Sequence, residues 1–165
     1  MGENILAKLF EHNNWANQKV IEVCAALTDE QLDTPPQSAT EGSIRSTLLH
    51  LVSAQHGYLR LLTLPVEERR ERVTVEFPDL EKSLKDSGEH LLELARDVSK
   101  LPATRLQTRD DYWVEPWVLM VQIINHATEH REQIKSMLTA LGITPPSIDG
   151  WDYGEAVHAL VPISS

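Results

Sequence analysis

Apolar positions recur at helical spacing in four long stretches of the chain, separated by proline-containing breaks. The first runs from about Glu3 to Leu27, with Ile5, Leu9, Asn13, Ala16, Val20, Cys24 and Leu27 on one stripe. Thr28 to Gln31 follow as a capping box, in which the threonine oxygen and the glutamine side chain satisfy each other's backbone amides. This predicts a short helical turn that ends at Pro35-Pro36. The second long helix is predicted to start at Ser43, a good N-cap, and to stop at Leu64 before Pro65. Its inner stripe is Ile44, Thr47, Leu51, Ala54, Tyr58, Leu61 and Leu62. The third covers about Asp79 to Lys100, with Leu80, Leu84, Leu91, Leu94 and Val98 inward. The fourth opens at Pro116, which suits a first helical position, and ends at Gly142, a typical residue just past a helix end. Beyond Pro145-Pro146 the chain is expected to be extended, with a short helix in "IDGWDYGEAVHAL". "RVTVEF" (72–77) alternates as a strand would, but it stands alone between helices.

Four amphipathic helices with so little strand signal predict an all-α fold, a four-helix bundle. The connection of about 14 residues between the second and third helices is long enough for a crossover. A length of 165 residues suits one domain spanning 1–165, large enough to bury a core without a disulfide or a metal.

Charge and cysteine usage narrow the partners. Fifteen Lys and Arg stand against 25 Asp and Glu, a net charge of −10. Phosphate backbones are bound by clustered cations, so this balance argues against nucleic acid and against acidic membrane surfaces. No stretch approaches the roughly 18 apolar residues of a membrane span, and "MGENILAKLF" has no signal-peptide core. The single cysteine, Cys24, lies on an inner stripe and reads as a packing residue. A soluble, cytoplasmic protein is expected.

The candidate chemistry lies in "NHATEHREQI" (125–134), where His126 and His130 are one helical turn apart on the stripe of Leu119, Ile123, Ala127, Ile134, Met137 and Leu141. Taken singly, an inward histidine is ordinarily a hydrogen-bonded core residue. Two on adjacent turns leave two buried polar groups, each costing roughly 1–3 kcal/mol if unsatisfied. A divalent metal removes that cost by accepting both nitrogens, and His50, at the edge of the second helix's stripe, can supply a third. Three imidazoles and an open position form the ligand set of catalytic zinc, and nickel, iron or manganese accept the same donors. The glutamate of H-E-x-x-H is absent, and Glu129 lies off the ligand face.

The stretches "NNWANQKV" (13–20), "SIRSTLLHLVSA" (43–54), "NHATEHREQIKSMLTALG" (125–142) and "PPSIDGWDYG" (145–154) resemble the DinB-like family. The family pattern of one histidine on the second helix and an H-x-x-x-H pair on the fourth falls here on His50, His126 and His130. Glu132 stands where the family often has glycine, away from the ligand face. The resemblance implies up-up-down-down connectivity, a homodimer and a divalent metal, zinc or nickel first. It also implies, for some members, transfer of a low-molecular-weight thiol such as bacillithiol or mycothiol, or isomerisation of maleylpyruvate.

These readings lead to a metal-dependent enzyme that activates a thiol or water against a small electrophilic substrate. Tyr58, Asn13 and Asn17 are candidates to orient that substrate, and Gln133 to brace His130. The alternative is a non-catalytic metal- or ligand-binding dimeric stress protein. Trp15 and the strip of Trp117, Met120, Val121 and Ile124 would then form an interface, unless the C-terminal tail with Trp151 and Tyr153 covers them.

Overall fold

The computed structural model describes residues 4–37, 42–69 and 74–163. Its helices are α1 (Ile5–Cys24), α2 (Asp29–Asp33), α3 (Ile44–Thr63), α4 (Leu80–Arg96), α5 (Pro116–Ala140) and α6 (Gly150–Ala156). Strands β1 (Leu106–Gln107) and β2 (Trp113–Val114) form a small antiparallel pair, with Leu106 opposite Val114. The fold is therefore all-α apart from one minimal hairpin. Among the described residues no helix is long and apolar enough to cross a membrane.

Local chemistry sets the helix ends. Ser43 accepts from the Ser46 amide, Thr28 and Gln31 close a complete capping box, and Pro116 occupies the first turn of α5. Gly142 takes φ +73 just past α5, a left-handed conformation that costs a residue with a Cβ. α4 stops earlier than its apolar pattern predicts. Asp97 leaves helical geometry and its carboxylate accepts from the Ser99 amide, so Val98–Lys100 form a separate 3-10 turn. Val98 consequently lies exposed. In "RVTVEF", residues 72 and 73 lie outside the described residues. The rest is not a strand, and Phe77 opens a 3-10 turn, Phe77–Asp79, that leads into α4.

α1 packs on α4 and α5, and α3 packs on the same two helices. Side-chain bonds give the directions. Asn4 and Asn14 reach Ala95 and Gly88, while Gln18 reaches Glu81, so α1 and α4 are antiparallel. Arg45 covers the Phe77 ring and Gln55 meets Leu84 and Ser87, so α3 and α4 are parallel. Phe10 near the start of α1 shares a core half with Leu119 and Ile123, and Val20 near its end shares the other with Ile134 and Leu138, so relative to α1, α3 and α4 run down and α5 runs up. The expected up-up-down-down order does not hold. That order would set the second long helix parallel to the first, whereas here α3 is antiparallel to α1 and the connection from α3 to α4 returns along the bundle, which keeps those two parallel.

The core has two apolar halves. One gathers Val20, Cys24, Ile44, Leu48, Leu84, Ile134 and Leu138; the other gathers Phe10, Leu62, Leu91, Leu119 and Ile123. Between them lies a polar layer of Asn13, Asn17, Gln55, Ser87 and Arg131, all buried. The α1 stripe is rotated from the expected one. Ile5 and Leu9 are exposed, and Ala7, Phe10 and Asn17 take the inner face because fully buried Phe10 fills the space between α4 and α5. Ala54, Tyr58 and Leu61 of α3 are only half-buried, because they face a cavity rather than a helix.

Candidate metal centre

α5 stacks His126 and His130 one turn apart, and antiparallel α3 brings His50 to the same level. The Nε2 atoms of His50 and His126 are 3.0 Å apart, and those of His126 and His130 are 3.2 Å apart. One ligating nitrogen from each of the three falls within 4.8 Å of the others. Their level in the fold is that of the polar layer, where the two apolar halves part. His130 is buried, His126 half-buried and His50 exposed, so the cluster runs from core to solvent.

The donor set fits a divalent ion. Nitrogens bound at about 2.0–2.1 Å to one centre stand roughly 2.9–3.4 Å apart, from right-angled to tetrahedral arrangements. The two close Nε2 pairs lie in that range. His130 Nδ1 donates to Gln133 Oε1 at 2.8 Å, which fixes the proton on Nδ1 and leaves the Nε2 lone pair facing the cluster. His126 Nε2 faces two such neighbours, and a proton on it can serve only one of them. A cation serves all three.

Burial, and then the neighbouring His130 and His50, push the His126 imidazole down to about 4. Burial also lowers His56, which donates to the Ser83 carbonyl at 3.0 Å. In the unfolded chain both imidazoles take up protons near pH 6.5, ahead of the folded protein. Stability of the metal-free protein is therefore full above about pH 6.5 and declines towards pH 4. His126 contributes at most about 3 kcal/mol to that decline. Urea unfolding of metal-free protein at pH 7 and pH 5 should show the loss, and a flat profile would count against His126 and His56 being held neutral by burial.

Of the other candidate residues, Tyr58 stands edge-on to His126 with ring centroids 5.7 Å apart, and Gln133 braces His130 as described. Asn13 and Asn17 do not reach the histidines. Their oxygens each accept from Arg131 Nη1 at 2.7 Å, and Arg131 Nη2 donates to Thr128. Both asparagines are fully buried, and Asn13 Nδ2 has no partner among the described residues. Sequence reasoning overlooked Arg131, although it lies three and seven residues before Ile134 and Leu138 on a buried face. Burial pulls its guanidinium down to about 10. Cys24 is a packing residue, its thiol pushed up to about 12 by burial.

A cavity of about 750 Å³ opens at His50 and follows α3 past Gly57, Tyr58 and Arg60. Its other wall is the 3-10 turn Val66–Arg69 and the β1–β2 hairpin, neither of which the apolar pattern announced. The expected apolar strip on α5 divides: Met120 is buried and Ile124 packs against the core, while Trp117 and Val121 remain exposed. The tail does not cover them. Tyr153 of α6 packs instead on Trp15 and His12 of α1, and His12 Nε2 donates to the Ile148 carbonyl. Trp151 stays exposed.

An all-helical scaffold that converges three imidazoles beside an open cavity defines the class: a helical protein with a site suited to a divalent metal. The model of the DinB family matches residues 1–159, and the chain belongs to that family. A search of curated proteins finds no match.

Proposed function

We propose that this protein is a metal-dependent enzyme that joins or exchanges a low-molecular-weight thiol, or water, with a small electrophile. In this reading His50, His126 and His130 hold zinc or nickel. The scaffold is a four-helix bundle with one long crossover. The observation that carries the proposal is the opening at the triad: His50 lines a cavity of about 750 Å³ rather than being closed in by protein. A purely structural or storage site has its coordination sphere filled by side chains, whereas a catalytic one keeps a position for a reactant. A divalent ion bound there lowers the pKa of a thiol or water and so supplies a nucleophile near neutral pH.

The chain's own residues orient and exclude. Gln133 holds the His130 tautomer, and Leu119 and the half-buried Ala54 and Leu61 give the reactants an apolar wall that limits water. Tyr58 offers a phenol beside His126 for orienting a substrate. Exposed Trp113, Trp117 and Val121 support a homodimer in which this strip is covered.

Protein purified without a metal-affinity step should carry about one equivalent of a transition metal by elemental analysis. It should also consume thiol in a panel of thiols and electrophiles, in a manner that chelation abolishes and metal restores. A protein that takes up neither zinc nor nickel would overturn the proposal.

A further inference from the structure

The cavity beside the triad carries information about what it takes. Arg60 lies ten residues after His50 on α3, about 15 Å along the helix at 1.5 Å per residue. Between the two ends the lining includes Ala54, Leu61 and Leu119. At the far end the cavity is lined by the guanidinium-bearing residues Arg60 and Arg69, both half-buried.

Those two arginines are held in place by backbone carbonyls. Arg60 Nη2 donates to the Glu68 carbonyl. Arg69 donates from Nε to the Leu64 carbonyl at 2.6 Å and from Nη1 to the Gln107 carbonyl at 3.1 Å. Backbone carbonyls orient a guanidinium but bring no opposite charge, and neither arginine meets a carboxylate among the described residues. Asp110 and Asp111 line the same rim, but both are exposed, where water and salt screen them more than the half-buried cations. In a chain of net charge −10, this cavity concentrates positive charge at the end away from the histidines.

Building on the metal-enzyme reading, we propose that Arg60 and Arg69 form an anion-recognising subsite. The substrate or thiol is then an elongated small molecule with an apolar middle and a terminal carboxylate. Its reacting group lies at His50, His126 and His130, and the carboxylate is paired by the two guanidinium groups. A planar fork of N–H donors matches a carboxylate in both charge and geometry.

Calorimetry on the full-length protein, metal-free and zinc-loaded, tests this with three probes of equal chain length: mercaptooctanoate, mercaptooctanol and mercaptooctylamine. The carboxylate should bind about tenfold more tightly than the alcohol, and the amine should bind most weakly. Arg60→Gln and Arg69→Gln should each shrink the carboxylate-to-alcohol ratio, and together they should bring it to about one. Because both arginines also tie down backbone, Arg60→Lys and Arg69→Lys serve as companions that keep the charge and should retain part of the ratio. A ratio near one in the unaltered protein, a preference for the amine, or a ratio that survives the double glutamine variant would overturn the proposal. Zinc should tighten all three probes. An arginine-dependent ratio with no effect of zinc would leave the subsite standing and remove the metal reading, while a zinc effect with no ratio would do the reverse.

Discussion

Replacing His126 with alanine is expected to weaken zinc binding by more than about 100-fold. Losing a hydrogen-bonded partner behind a metal ligand costs roughly 10- to 100-fold, and losing the ligand itself costs more. His126 is the member of the triad whose Nε2 stands close to both of the others, 3.0 Å from His50 and 3.2 Å from His130. The remaining two nitrogens then come from different helices with nothing between them. Gln133→Leu should fall in the 10- to 100-fold range, because it frees the His130 ring and its tautomer. His90→Ala, on the exposed face of α4, should change nothing. Competition with a chromophoric chelator measures all three. Equal affinity in the His126 variant and the unaltered protein would show that the ion, if bound, sits elsewhere.

The second large effect is on stability and comes from the polar layer between the two apolar halves. Arg131 is buried and its charge is met by amide and hydroxyl oxygens, Asn13 and Asn17 at 2.7 Å and Thr128 at 2.9 Å, rather than by a carboxylate. Replacing both asparagines with alanine strips the cation of its two shortest bonds and should cost about 3–5 kcal/mol, as uncompensated buried charges do. For a chain of this length that corresponds to a drop of roughly 10 °C in Tm. Adding Arg131→Met to the double variant removes the stranded charge and should recover about 1–4 kcal/mol. Urea unfolding of the double and triple variants decides the matter. A triple variant less stable than the double would mean that the arginine contributes by packing and not by its paired charge.

The parts of this architecture that were legible in the sequence are the parts governed by local chemistry. Ser43, Thr28, Pro116 and Gly142 mark helix ends because capping and backbone conformation depend on neighbours a few residues away. The convergence of His126 and His130 follows from helical spacing alone, and that of His50 from its place at the edge of an inward stripe. What depends on tertiary context was harder to read. Phe10 displaces Ile5 and Leu9 from the α1 interior because of the space α4 and α5 leave, which the α1 pattern does not contain. The relative directions of the helices depend on which link crosses over. The hairpin has strands of only two residues each, too short for an alternating pattern to register. Asn13, which was on the expected inner stripe, and Asn17, which was not, both accept from Arg131, a pairing that needs the position of the opposing helix.

The cavity draws its two sides from different kinds of chain. His50 and Tyr58 belong to α3 and Leu119 to α5, whereas Val66, Arg69 and residues 107–111 belong to the connectors before α4 and before α5. Connectors accept insertions and exchanges that packed helices do not. Ligand preference can therefore drift through these outer segments, in length as well as composition, while the nitrogen cradle keeps its spacing.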